Sequence, residues 1–123
     1  MNRNVLIEQL KRDEGLKLRL YRCTAGKLTI GHGRNIEDNG ISREEAEQML
    51  HSDSDDVVTE LQSIKQYRDL DPIRQTVLAN MAFNLGVPTL KEFRNMLANL
   101  SMRNYNEAAK EMLNSRWARQ VGD

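Results

Sequence analysis

The sequence predicts an α+β fold, in which a small antiparallel β-hairpin or sheet subdomain is joined by a long helix to a mostly helical subdomain. Three observations favour this class. Apolar and polar residues alternate in 17–21 and 27–30, on either side of a turn. A capping motif opens a long amphipathic segment over 42–64, and apolar residues recur at helical spacing in the second half of the chain.

The length of the chain fits one domain. At 123 residues, about two-thirds of the unfolded surface can be buried, which is enough for a modest core. No internal repeat or Pro/Gly-rich linker marks a boundary. We therefore expect a single domain over 1–123, with its sheet subdomain at about 15–40, its linking helix at about 42–64, and its helical subdomain at about 70–120 together with the N-terminal helix.

The N-terminal segment predicts a helix that ends near Glu14, with Gly15 as its stop. Its apolar residues, which share one side of a 3.6-residue period, are Val5, Leu6, Ile7 and Leu10. A hairpin follows, with a turn ending at Gly26. The polar stretch from Arg34 to Gly40 is typical of a surface loop.

The linking helix is predicted to begin at a capping box formed by Ser42 and Glu45, whose side chains can each satisfy a free backbone N–H. Its apolar stripe lapses between 52 and 56 and then resumes as far as Ile64. One continuous helix is favoured, and two helices with a loop at 52–56 are the alternative.

The second half of the chain predicts a helical bundle. Asp71 and Pro72 form a start signal, because a capping side chain precedes a proline suited to the first turn. That helix is expected to run to Gly86. Amphipathic helices should follow over 90–100 and 105–113, with a last turn over 115–120.

Composition excludes several classes of function. Lys+Arg and Asp+Glu are each 18, so the formal net charge is +0, and the absence of a basic stripe argues against a helical DNA-binding domain. Cys23 is the single cysteine, so no internal disulfide can form. His32 and His51 lack the spacing of a zinc site, so we expect no metal and no cofactor. The N-terminus lacks the apolar run of a signal peptide, and we expect a soluble protein made in a cytoplasm.

Three residues have the spacing of a hydrolytic site. Eight residues separate Glu14 from Cys23, and five separate Cys23 from Thr29, so a helix end can present a carboxylate opposite a hairpin that carries a thiol and a hydroxyl. The negative end of the helix dipole disfavours the ionised form of Glu14, which suits a proton donor. The Cys23 thiolate could act as nucleophile or base, and Thr29 could hold a water molecule.

Each of these residues taken alone also has a plain structural interpretation. Glu14 fits a solvated charge at a helix end. A lone cysteine is more often a small buried apolar residue than a reactive one, and threonine is a good strand former.

The segments around these residues resemble a known family. Residues 13–33 resemble the catalytic signature of phage-type lysozymes, the endolysins of glycoside hydrolase family twenty-four, in which Glu is followed after eight residues by Asp or Cys and after five more by Thr; Cys23 matches the cysteine-bearing branch. The likeness continues in order through 41–47, 80–86, 107–109 and 115–117, and so covers essentially the whole chain.

This resemblance implies a lysozyme-like fold that holds peptidoglycan between its subdomains. It implies that Glu14 is the general acid, Cys23 the nucleophile or base, and Thr29 the residue that orients water in hydrolysis of the β-1,4 bond between N-acetylmuramic acid and N-acetylglucosamine. Asn35 and Phe83 fall where family members touch sugar, although Phe83 fits the core equally well. Release from the host cytoplasm through a separate pore-forming protein is also implied.

The resemblance further implies an arginine that pairs with the catalytic glutamate and a final helix, both after Trp117. The sequence stops at Asp123, so we expect it to lack that C-terminal helix. We expect a monomer, unless an oligomer contact replaces the helix. The alternative function is a truncated, weak or inactive lysozyme-like module that binds peptidoglycan or another partner without cleaving it.

Overall fold

The computed structural model describes residues 1–113, which fall into two compact units. The first unit is Met1–Glu47, and the second begins at Gln48. Each unit has its own secondary structure, and the division falls within the long helix predicted from the capping box. The predicted α+β fold is confirmed, because a small antiparallel sheet is followed by helices in the second unit.

The first unit opens with helix α1, Arg3–Glu14. It begins where the Asn2 side chain accepts hydrogen bonds from the backbone N–H groups of Asn4 (3.0 Å) and Val5 (3.3 Å). It ends at Gly15, whose φ of +71° suits glycine, and this confirms the predicted end near Glu14. No residue of α1 is buried.

A three-stranded antiparallel sheet follows α1, in the order β1-β2-β3. Its strands are Lys17–Arg22, Leu28–Gly31 and Arg34–Asn35. The predicted hairpin is confirmed. The surface loop predicted from Arg34 to Gly40 is wrong, because this stretch forms β3 and a short helix α2, Ile36–Asn39, capped by the Asn35 side chain.

Helix α3, Arg43–Leu61, begins at the predicted capping box. The Ser42 backbone N–H donates to Glu45 Oε1 (2.8 Å), and the Glu45 backbone N–H donates to Ser42 Oγ (3.1 Å). The helix is continuous, so the alternative with a loop at 52–56 is wrong. It ends at Leu61 rather than at the predicted position 64, because the backbone N–H groups of the next three residues bond to carbonyls three positions back.

The second unit contains the hydrophobic core. Its helices after α3 are α4 (Lys65–Arg68), α5 (Pro72–Leu85), α6 (Val87–Lys91), α7 (Arg94–Ser101) and α8 (Tyr105–Leu113). The largest fully buried side chains are Leu61, Leu78, Met81, Leu90 and Met96. The predicted start of α5 is confirmed, because the Asp71 side chain accepts from the backbone N–H of Arg74 (3.2 Å).

In the second unit, one prediction needs correction and one helix was not predicted. The helix predicted over 90–100 is two helices, since the chain turns at Glu92 and Phe93 between α6 and α7. Helix α4 was not predicted, because four residues are too short for a periodic signal. The last turn predicted over 115–120 lies outside the described residues. Within residues 1–113, no helix combines the length and the apolar character needed to cross a membrane.

Candidate active site

The β1–β2 hairpin brings Cys23 and Thr29 to one face of the sheet. Tyr21 pairs with Thr29, and the Cys23 backbone N–H donates to the Lys27 carbonyl (3.0 Å) where the strands meet the turn. Residues paired across antiparallel strands point to the same side, as do residues two apart on one strand. Cys23 and Thr29 are therefore diagonal neighbours on that face.

Hydrogen bonds lower the pKa of the Cys23 thiol. The largest contribution is from the backbone of Lys27, followed by the backbone of Ala25 and then by the Thr29 side chain. The thiol is only partly buried, so it remains within reach of solvent. A thiolate stabilised in this way is more abundant at neutral pH than that of an ordinary cysteine.

Thr29 is the buried polar residue of the hairpin, with 2% of its surface exposed. Its hydroxyl donates to the carbonyl of Lys27 (2.8 Å). A hydroxyl has one hydrogen and two acceptor positions. The single hydroxyl hydrogen can go either to the Lys27 carbonyl or to the Cys23 sulfur, and in both cases the Thr29 oxygen can still accept a hydrogen from water.

Glu14 is the last residue of α1, and its carboxylate lies against the turn that follows β2. A Cβ placed on Gly33 would lie 2.6 Å from Glu14 Oε2 and 2.9 Å from Glu14 Cδ. Only a glycine leaves room for the carboxylate in this position. The φ of Gly33, +81°, favours glycine for a second reason.

A second contact joins the end of α1 to the same turn. His32 Nδ1 lies 2.6 Å from the carbonyl oxygen of Gly15. The carbonyl can only accept, so the imidazole nitrogen donates. Residues 14 and 15 are thus in contact with residues 33 and 32.

Asn35 pairs with Thr29 across β2 and β3 and so shares its row in the sheet. Its side-chain amide caps the start of α2. The side-chain oxygen accepts from the backbone N–H of Asp38 (3.1 Å), and the side-chain nitrogen donates to Asp38 Oδ2 (2.9 Å). One hydrogen of the amide nitrogen remains for a further acceptor.

Phe83 belongs to the second unit, where it lines a groove of about 320 Å³ between α3 and α5. Its surface is 44% exposed, so it is not a core residue in the sense of the fully buried Leu78 and Met81. The groove has apolar walls that include Val57 and a polar rim that includes Asn80. An aromatic ring beside polar groups is a surface suited to the apolar face of a sugar.

Arg34 and Glu45 form an ion pair within the first unit, between β3 and the start of α3. Both guanidinium nitrogens face the carboxylate. Arg34 lowers the pKa of Glu45 to about 2, with the backbone of Ser42 as the next cause. This ion pair joins an edge strand of the sheet to the start of α3.

Among residues 1–113, no group of three or more His, Cys, Asp or Glu side chains could hold a metal ion. The candidate residues of the first unit offer a carboxylate, a thiol with a lowered pKa and a hydroxyl.

The sequence did not reveal the residues that support these groups. From the sequence, His32 is only a histidine without the spacing of a zinc site, and neither Gly33 nor the backbone of Lys27 and Ala25 has a predicted role. The available signal was local: a histidine between two glycines, directly after a strand, leaves room for another element to approach.

Comparison with known proteins adds a family match. The model of the family described as phage lysozyme matches residues 11–123. The chain is 31% identical to "Probable T4-type lysozyme 1" of Dictyostelium discoideum over 144 residues, which covers 93% of this chain and 85% of that protein. It is 29% identical to "Probable T4-type lysozyme 2" of the same organism over 146 residues, covering 94% and 86%.

A viral protein gives a similar result. The chain is 32% identical over 114 residues to the "Endolysin" of Acyrthosiphon pisum secondary endosymbiont phage 1, covering 89% of this chain and 75% of that protein.

Proposed function

Since the chain belongs to the phage lysozyme family, we propose that it hydrolyses the β-1,4 bond between N-acetylmuramic acid and N-acetylglucosamine in bacterial peptidoglycan. Family membership makes it a glycoside hydrolase that acts on peptidoglycan. We propose which bond is cleaved and which residues cleave it.

Glu14 is the general acid in this proposal. Its carboxylic acid protonates the oxygen of the leaving sugar as the glycosidic bond breaks. Support comes from its place at the exposed end of α1, against Gly33, where the carboxyl is held on a solvent-accessible surface.

Cys23 is the group that acts on the anomeric carbon, either directly as a nucleophile or as a base that removes a proton from the attacking water. Thr29 orients that water by accepting one of its hydrogens. The observation that most supports these roles is the lowered pKa of the Cys23 thiol on the hairpin face that it shares with Thr29.

Asn35 and Phe83 are proposed sugar contacts. Asn35 has one amide hydrogen left after its bonds to Asp38, and Phe83 presents part of its ring in the groove of the second unit. We also propose that the chain forms one lysozyme-like domain over 1–123, acts as a monomer, and reaches the wall after release from the host cytoplasm through a separate pore-forming protein.

The test compares Glu14→Gln with a matched control, Glu8→Gln, which changes another exposed glutamate of α1. Both variants and the parent are assayed for clearing of permeabilised bacteria and for release of soluble muropeptides. We expect loss of both activities in Glu14→Gln and full activity in Glu8→Gln. Equal clearing by the parent and Glu14→Gln would refute the role of Glu14. Wall binding by the parent without released muropeptides would favour the non-catalytic module instead.

A further inference from the structure

We propose that His32 is a positioning residue for Glu14. By donating from Nδ1 to the Gly15 carbonyl, its imidazole holds the end of α1 against the turn between β2 and β3. This inference rests on the proposed function, because the position of the Glu14 carboxyl matters for activity only if Glu14 is the general acid.

The His32–Gly15 hydrogen bond satisfies a backbone carbonyl at the end of α1. The last carbonyls of a helix lack partners within the helix. At the end of α1, the Gly15 carbonyl is supplied with a partner by His32, 17 residues further along the chain, at 2.6 Å. A bond over that separation fixes one element relative to another and does not merely cap the helix.

The two contacts at the end of α1 act on consecutive residues. Gly15 is bound by His32, and Glu14 rests against Gly33. The glycine gives the carboxylate room but does not hold it, since it offers no side chain. The imidazole bond therefore supplies the restraint in this pair of contacts.

Among the described residues of the first unit, packing does little to fix α1. None of its residues is buried, and its apolar side chains are between 40% and 53% exposed, those of Val5, Leu6, Ile7 and Leu10. A helix without a buried side chain can shift at small cost. Within the first unit, the direction in which Glu14 points thus depends on polar contacts at the helix end.

The bond also fixes which ring nitrogen of His32 carries a hydrogen. A donor at Nδ1 requires either the neutral Nδ1–H tautomer or the imidazolium, because both carry a hydrogen on that nitrogen. Both forms hold Gly15. The bond therefore requires a hydrogen on Nδ1, which a measurement of the ring tautomer can detect.

The experiment compares two substitutions of His32. His32→Phe keeps a planar ring but has no donor. His32→Asn is shorter, but its amide nitrogen can occupy the place of Nδ1 and donate. Both are assayed with soluble peptidoglycan fragments for kcat and KM, and both are checked for thermal stability. We expect His32→Phe to lower kcat about tenfold, since small misplacements of a catalytic group are costly. KM should change less than twofold, and His32→Asn should recover most of kcat.

The outcomes separate this inference from the proposed function. If Glu14→Gln is inactive while His32→Phe keeps the parent kcat, the positioning role is wrong and the role of Glu14 stands. An equal fall in kcat for His32→Asn and His32→Phe would also overturn the inference, because the donor would not matter. If Glu14→Gln is fully active, the proposed function fails first.

A spectroscopic measurement tests the bond without any activity. Nitrogen-15 shifts of the His32 ring at a pH where it is neutral should report the hydrogen on Nδ1. A neutral ring with its hydrogen on Nε2 would refute the bond to Gly15 and the inference with it.

Discussion

Replacing Gly33 with alanine tests whether the position of the Glu14 carboxylate matters. The added Cβ would lie 2.6 Å from Glu14 Oε2, and an ordinary contact begins at 3.4 Å. The oxygen must therefore move by about 0.8 Å, or the side chain must rotate away. A displacement of about 1 Å at a catalytic group costs about a hundredfold in rate, so we expect kcat to fall by a factor of about 10 to 100.

Gly31→Ala is the matched control. Gly31 has a φ of +73° and Gly33 a φ of +81°, so alanine is strained at either position by about 1–2 kcal/mol. A Cβ on Gly31, however, meets no atom within 4 Å. The two variants should lose similar stability, since the atoms displaced by Gly33→Ala are the mobile end of a side chain.

The assay measures kcat and KM on soluble peptidoglycan fragments together with thermal unfolding. The expected result is a similar fall in Tm for both variants and a much lower kcat for Gly33→Ala alone. Equal kcat values for the two variants would refute the argument that Gly33 leaves space for a working carboxylate. A far lower Tm for Gly33→Ala would show that the collision involves more than the side chain of Glu14.

Three further predictions concern other residues. Because hydrogen bonds lower the pKa of Cys23, its alkylation should show a midpoint at a pH below that of an ordinary cysteine, and the alkylated protein should no longer lyse cell walls. Glu45→Gln should lower Tm at pH 7. Arg34 lowers the pKa of Glu45 in the folded protein to about 2, so the ionised carboxylate stabilises the fold at pH values above its ordinary pKa of 4.5. The difference in Tm between the parent and Glu45→Gln should therefore vanish as the pH falls through about 2. Phe83→Ala should raise KM several-fold, with a smaller loss of stability than Leu90→Ala, which removes a fully buried side chain and costs about 2–5 kcal/mol.

Each of these predictions has a result that contradicts it. Unchanged lysis after complete alkylation of Cys23 would exclude the thiolate from catalysis. Glu44→Gln is the control, because it removes a neighbouring carboxylate and keeps the Arg34–Glu45 pair, and an effect equal to that of Glu45→Gln would show that the ion pair is irrelevant. Unchanged KM in Phe83→Ala, with a stability loss as large as that of Leu90→Ala, would assign Phe83 to the core.

Local signals predicted much of the fold. The glycine at the end of α1, the capping box at Ser42 and the start of α5 at Asp71 are each set by residues within a few positions, and all three are confirmed. The strands of the hairpin were predicted by their alternation. These features depend on hydrogen bonds and side-chain periods that a short window of sequence contains.

The errors concern features that a short window does not contain. Strand β3 has two residues and no period of its own; it exists because Asn35 pairs with Thr29. The break between α6 and α7 was missed because Leu90, Met96 and Leu97 keep a helical spacing across it, and all three face the core. Tertiary contacts decided both cases.

The candidate site likewise has some features that the sequence predicted and others that it did not. The spacing of Glu14, Cys23 and Thr29 identified them as candidates, and their catalytic roles remain predictions. The contacts of Gly33 with Glu14 and of His32 with Gly15 join elements far apart in sequence, so no periodicity could reveal them. Family likeness named the reactive groups but not what holds them here.

The shared use of one carboxylate limits how this sequence can change. Glu45 caps α3 through the Ser42 N–H and also receives Arg34 from β3. A glutamine there could keep the cap and lose the ion pair, whereas an alanine would lose both. Positions 34 and 45 should therefore tolerate substitution jointly more readily than singly, and a library randomised at both should recover pairs of opposite charge.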